Sequence, residues 1–205
     1  MNIRLFSYGG SGLKFLTNFL GEYVEVYGIN HNPHCRPQDS DVLTVDKAIL
    51  IYSDPRNAIL SFFRRSEQYY STLVECGDGV SWLNKELSHQ GRKQTLPNRL
   101  SIDDFLENYE DVFELNNYFN EWLNFVPPKG HSIVFVKYER LCDVTDELMD
   151  FLNLDKNISD ELRQKFVPRS SDYTQESEKN QQMLYDKYKD LIETQESLGP
   201  FFIKE

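Results

Sequence analysis

The sequence has few cysteines and lacks long apolar runs, and each shortage disfavours a class of protein. Its three cysteines, Cys35, Cys76 and Cys142, are an odd number without a C-x-x-C pair, so neither a disulfide framework nor a structural zinc site is expected. No apolar run approaches the about 20 residues that cross a bilayer. The first residues also lack the charged and apolar regions of a signal peptide. We therefore predict a cytoplasmic protein that is not embedded in a membrane.

Positive charge is also scarce. The chain has 22 Lys and Arg residues against 33 Asp and Glu residues, and its net charge is −11. This balance disfavours non-specific binding to nucleic acid or to an anionic membrane surface. An anionic ligand would need a local basic pocket. With 205 residues, 40% of them hydrophobic, the chain can bury one good core, so we predict a single domain over residues 1–205.

The apolar pattern predicts strands that alternate with helices. Residues 2–6 have the β-rich composition of a buried strand, residues 47–52 form a nearly continuous apolar run, and residues 132–136 predict a third buried strand. The predicted helices cover residues 15–20, 58–70, 102–106, 112–125, 145–152, 159–166 and 181–194, and the second of them is expected to begin near Pro55. This alternation predicts a three-layer α/β/α fold around a central parallel sheet. Residues 72–100 are an irregular excursion, and this excursion is either a lid or acceptor loop or a plain surface insertion.

The end of the first predicted strand is rich in glycine. Gly9, Gly10, Ser11 and Gly12 come directly after it, and Lys14 lies in the first turn of the next helix. Glycines let the backbone turn sharply and point N–H groups inward, and the helix N-terminus adds partial positive charge. The Walker A pattern is absent. By itself, the segment fits either a tight strand-to-helix turn or a phosphate site.

Ligands of such a sheet bind at the carboxyl ends of the strands, and three segments at predicted strand ends carry motifs. These segments are YGGSGLKFL at 8–16, SDPRNAILSFF at 53–63 and IVFVKYERL at 133–141. In this order they resemble the sulfotransferases that use 3′-phosphoadenosine 5′-phosphosulfate (PAPS). The segment at 8–16 is similar to the family's first signature, Y-P-K-S-G-T-T-W-L, and the segment at 53–63 to its second, R-N-P-K-D-x-x-x-S. The segment at 133–141 is similar to a third family feature, a strand followed by Y-E-D-L.

The resemblance implies a P-loop NTPase-like sulfotransferase fold. It also implies transfer of a sulfuryl group from PAPS to a hydroxyl or amine of a small-molecule or glycan acceptor, without a metal. The implied contacts to the 5′-phosphosulfate are Gly9, Gly10, Ser11, Gly12, Leu13, Lys14 and Phe15. The implied contacts to the 3′-phosphate are Arg56 and Ser61, with Arg169 as the candidate from a late basic segment.

The family often takes its general base from a histidine in an H-x-P step before the second signature. His31-Asn32-Pro33 occupies that place here, and a histidine near its ordinary pKa suits this role at neutral pH. Lys14 is the candidate catalytic cation. His31 can equally be an ordinary loop residue, in which case His34 is the second candidate.

Departures from the family pattern leave two other functions open. Gly10 stands where the family has its loop lysine, and Ser53 where the second signature begins with arginine. Lys14, Arg56 and Arg36 are the cations that could replace them. A sulfotransferase-like domain that has lost its chemistry and serves in binding is one alternative. A small-molecule kinase is less favoured because Lys14 is followed by phenylalanine rather than Ser or Thr. The sequence identifies neither the acceptor nor the oligomeric state.

Overall fold

The computed structural model describes residues 2–8, 12–27, 36–37, 45–61, 63, 101–111, 113, 115–168 and 172–205. Several features predicted from the sequence lie outside these ranges. They are Gly9, Gly10, Ser11, His31, His34, Arg169, the excursion 72–100 and the second half of the predicted helix 58–70. The fold below is that of the described residues.

A five-stranded sheet forms the centre of the fold. Its strands are β1 (Asn2–Phe6), β2 (Glu25–Val26), β3 (Lys47–Tyr52), β4 (Ser132–Lys137) and β5 (Phe201–Lys204), in the order β2-β1-β3-β4-β5. The first four are parallel to their neighbours, whereas β5 runs antiparallel to β4. The sheet is therefore mixed, and the prediction of a wholly parallel sheet is wrong at this edge.

The helices follow the strands in the alternating order expected of an α/β chain. They are α1 (Leu13–Leu20), α2 (residues 55–61), α3 (Ile102–Asn108), α4 (Leu115–Asn124), α5 (Thr145–Leu152), α6 (Asn157–Lys165) and α7 (Glu178–Leu198). Two short 3₁₀ helices cover Tyr138–Val144 and Tyr173–Gln175. Within the described ranges, no helix combines the length and apolarity that crossing a bilayer requires.

The two faces of the sheet bury separate apolar clusters. Successive side chains of a strand point to opposite faces, so Leu50 and Phe135 belong to one cluster and Ile49 and Val134 to the other. Helices α2, α3, α4 and α7 pack on the first face, and α1, α5 and α6 pack on the second. The described chain therefore has the three layers that the sequence predicts.

Several predicted boundaries match the structure. The bounds of β1, β3 and α5 are as predicted, and β4 extends the prediction by one residue, Lys137. Helix α2 begins at Pro55, the proline near which its start is predicted, because proline is well suited to the first helical position. Helix α7 begins earlier than predicted, at Glu178, where the Ser177 hydroxyl accepts a hydrogen bond from the N–H of Asn180 (3.2 Å).

The C-terminal strand β5 is the main element that the sequence analysis missed. It follows α7 after a turn in which the Tyr52 hydroxyl donates to the Gly199 carbonyl (2.7 Å), and the Lys137 N–H donates to the Pro200 carbonyl (2.9 Å). The Phe202 ring then packs on Phe135 with a centroid distance of 5.7 Å. These contacts bring the end of α7 to the carboxyl edge of the sheet.

Replacement of Phe202 tests whether β5 is an integral strand. Phe202→Ala removes an aromatic ring that packs against the core, and we expect a loss of about 2 kcal/mol in the free energy of unfolding, measured by urea denaturation. Ile203→Ala is the matched control in the same strand because Ile203 is 42% exposed. We expect it to cost clearly less. Equal losses for the two variants would contradict the placement of β5.

Candidate functional site

The three motifs meet at one edge of the sheet. Strands β1, β3 and β4 are parallel neighbours, with Phe6 paired to Leu50 and Tyr52 paired to Lys137. The residues that follow the strands therefore leave the sheet side by side at its carboxyl edge. This is where an open α/β sheet binds ligands, and it is the arrangement predicted from the sequence.

Gly12 joins the first motif to the third. Its φ of 68° lies in the left-handed region, and a Cβ placed on it would lie 2.3 Å from Cε2 of Tyr138. No side chain fits this space, because atoms cannot approach so closely. The Tyr138 ring is itself buried and packs on Phe166 with a centroid distance of 5.3 Å. The N-terminus of α1 thus packs directly against Tyr138, the aromatic residue that follows β4.

Tyr8 joins the first motif to the second and to α7. Its hydroxyl accepts hydrogen bonds from the N–H of Ser53 (3.1 Å) and from Nε2 of Gln195 (3.2 Å), and it donates to the Ser53 carbonyl. Burial is the largest cause that raises the pKa of Tyr8 well above its ordinary value. The hydroxyl therefore remains protonated and keeps its donor.

Glu139 joins the third motif to the second. Its Oε1 accepts from the Ser53 hydroxyl (2.8 Å), from the N–H of Asp54 (3.0 Å) and from Nδ2 of Asn57 (3.4 Å). Ser53 stands where the resembling family has an arginine, and its hydroxyl is here bound to a carboxylate. These contacts place the negative charge of Glu139 beside the start of α2.

Arg56 lies in the site and is bound to an internal carboxylate. Asp54 caps α2 by accepting from the N–H of Arg56 (2.9 Å), and its carboxylate also accepts from Nε (2.9 Å) and Nη2 (2.6 Å) of the same residue. The guanidinium lies 3.7 Å from the centroid of the Tyr173 ring. Burial alone would lower the pKa of Arg56, but the hydrogen bonds and charge of Asp54 raise it above its ordinary value.

The other predicted residues have different environments. Lys14 is exposed in the first turn of α1 and makes no hydrogen bond or ion pair with any described residue. Phe15 packs against Phe166, with a centroid distance of 5.5 Å, and Ser61 is buried within α2. Arg36 forms an ion pair with Glu121 of α4, so its charge is already compensated.

The sequence analysis missed the groups that hold the predicted residues in place. The Asp54-Pro55 pair is a recognisable helix start, so the capping role of Asp54 could have been predicted. Tyr173 and Gln195 could not, because they reach the site from segments far along the chain. In the part of the chain that the structure describes, no group of three or more His, Cys, Asp or Glu residues is placed to hold a metal ion.

The chain matches no model of a known protein family, no curated protein and no solved structure. Functional inference therefore depends on the residues that meet at the carboxyl edge of the sheet. At this edge, Gly12 precedes the N-terminus of α1, and Lys14 is exposed in the first turn of that helix. Arg56 lies at the start of α2 and is paired with the Asp54 carboxylate.

Substitution of Gly12 tests whether the N-terminus of α1 packs directly against Tyr138. Gly12→Ala introduces left-handed backbone strain of about 1–2 kcal/mol and an overpacking cost of about 1–3 kcal/mol from the Tyr138 ring. Gly130→Ala is a matched control, because Gly130 also has positive φ, at 89°, but its Cβ would meet nothing within 4 Å. We expect Gly12→Ala to lower the thermal midpoint clearly further than Gly130→Ala. Equal shifts would show that Tyr138 does not contact this position.

Proposed function

We propose that the chain is a PAPS-dependent sulfotransferase, which transfers a sulfuryl group to a hydroxyl or amine of a small-molecule or glycan acceptor. The observation that supports this proposal is the meeting of three family-like motifs at one sheet edge, where Tyr8 and Glu139 connect them.

The N-terminus of α1 is the proposed binding site of the donor's 5′-phosphosulfate. The first N–H groups of a helix have no partner within the helix, and they bind anions together with the helix dipole. Gly12 takes the left-handed φ from which α1 starts, and its missing side chain leaves room for the Tyr138 ring. Lys14 adds the positive charge that the family's loop lysine would otherwise supply, and Gly9, Gly10 and Ser11 would contribute further N–H groups.

The proposed reaction is a direct transfer at sulfur. His31 accepts the proton of the acceptor hydroxyl or amine, and the acceptor atom forms a bond to sulfur. The bond between sulfur and the bridging oxygen of the 5′-phosphate breaks, and adenosine 3′,5′-bisphosphate leaves with that electron pair. Lys14 stabilises the negative charge that develops on the bridging oxygen. As in phosphoryl transfer, positioning and electrostatics supply most of the rate.

A binding protein that has lost this chemistry is the second candidate. The observation that favours it is that carboxylates engage both positions: Asp54 pairs with Arg56, and Glu139 accepts from the hydroxyl of Ser53, which stands where the family has an arginine. The two candidates differ in a measurable property, because the degenerate protein would bind neither PAPS nor its desulfo product.

Calorimetric titration with adenosine 3′,5′-bisphosphate tests donor binding. We expect a dissociation constant near the micromolar range for the wild-type chain and a loss of about 10- to 100-fold for Lys14→Ala, as for removal of one charged hydrogen bond. Lys129→Ala is the control, because Lys129 is exposed just before β4, at the opposite edge of the sheet. Absence of wild-type binding even at low salt would refute the sulfotransferase and favour the degenerate protein.

His31 is tested by following transfer from radiolabelled PAPS to a panel of phenolic, steroid, sugar and amine acceptors. We expect His31→Ala to slow transfer by about 100-fold or more while the affinity for adenosine 3′,5′-bisphosphate is unchanged. His131→Ala serves as the control, because the His131 ring is bonded to the Val45 carbonyl (2.7 Å) just before β4. An unchanged transfer rate in His31→Ala would remove His31 from the mechanism.

A further inference from the structure

The Arg56 guanidinium is held between a carboxylate and an aromatic ring. We propose that Asp54 sets the affinity for the donor's 3′-phosphate, because Asp54 and that phosphate compete for Arg56. This inference rests on the proposed function, and it assigns to Asp54 a role in determining nucleotide specificity.

The geometry of the pair supports competition. A guanidinium presents parallel N–H groups, and carboxylates and phosphates both accept two of them at once. Asp54 takes Nε and Nη2 of Arg56 at 2.9 and 2.6 Å, which is one of the donor pairs that can bind a phosphate. On this edge of the guanidinium the Asp54 carboxylate occupies the place that a phosphate would take.

Tyr173 restricts how an anion can approach Arg56. Its ring covers a face of the guanidinium at 3.7 Å, and its N–H donates to Oδ1 of Asn57 (2.9 Å), which fixes it to the first turn of α2. The side chains of Arg56 and Asp54 are only 14% and 13% exposed, so water screens their attraction weakly. A phosphate that bonds to Nε and Nη2 would have to displace Asp54 while Arg56 stays against the ring, and a phosphate on the Nη1–Nη2 edge would still be repelled by the charge of Asp54.

The surrounding charges add to the cost of this exchange. Glu139 lies at the N–H of Asp54, and Glu196 acts on Arg56 from the end of α7. A displaced Asp54 carboxylate would also remain close, since its backbone is fixed. We therefore expect the wild-type chain to bind adenosine 3′,5′-bisphosphate little more tightly than adenosine 5′-monophosphate.

Asp54→Asn separates the charge of this residue from its capping role. Asparagine keeps the oxygen that accepts from the N–H of Arg56 and is an equally good helix cap. It loses the negative charge that competes with phosphate. By calorimetry, we expect affinity for adenosine 3′,5′-bisphosphate to rise about tenfold or more, with little change for adenosine 5′-monophosphate. Asp54→Ser, which also caps a helix, should behave in the same way.

Asp155→Asn is the matched control. Asp155 accepts from the N–H of Asn157 (2.9 Å) two residues on, as Asp54 does from Arg56, but it precedes α6 on the other face of the sheet. We expect no change in affinity for either nucleotide.

Three outcomes would overturn the proposal. If the wild-type chain binds a nucleotide and Asp54→Asn binds the bisphosphate no more tightly, Asp54 does not compete for Arg56. If both nucleotides gain equally, the effect is one of overall charge, and the competition is refuted. If neither chain binds either nucleotide while thermal melting shows both folded, the sulfotransferase proposal fails together with this inference.

Discussion

The buried hydroxyl of Tyr8 is the contact on which the geometry of the carboxyl edge depends. It lies between the ends of β1 and β3 and the last turns of α7, and it bonds both backbone groups of Ser53 as well as the Gln195 amide. A buried polar group without a partner costs free energy, so these groups constrain one another. These bonds therefore tie the ends of β1 and β3 to each other and hold α7 beside them.

The charges at the carboxyl edge of the sheet disfavour the binding of an anion. In a chain of net charge −11, an anionic ligand would have to be attracted by local groups rather than by the overall field. At this edge Arg56 is paired with Asp54, and Glu139 accepts from the N–H of Asp54. The carboxylates that fix the start of α2 would therefore oppose a phosphate. Stability and ligand affinity make opposite demands at these positions, as they often do at functional sites.

The elements that could be predicted from the sequence are those marked by a pattern of residues close together in the chain. The apolar runs of β3 and β4 mark strands buried on both faces, and the order of strands and helices predicts that their ends share one edge. The antiparallel strand β5 and the contacts of Tyr173 and Gln195 depend on tertiary packing between distant segments. Phe201, Phe202 and Ile203 favour a strand, but a segment of four residues is too short to define one by its own pattern, and Phe202 is stabilised by Phe135 rather than by its neighbours in sequence.

Gly12 and Lys14 differ in what they reveal about function. The absence of a side chain at Gly12 follows from its contact with Tyr138 and its positive φ, so packing alone explains it whether or not a nucleotide binds. Lys14 makes no hydrogen bond or ion pair with the described residues and is exposed. Its contribution to the fold is therefore small, and any effect of its charge on ligand binding can be measured without disturbing the strand ends. Of the two residues at the proposed phosphosulfate site, Lys14 is thus the one whose substitution tests function without altering the fold.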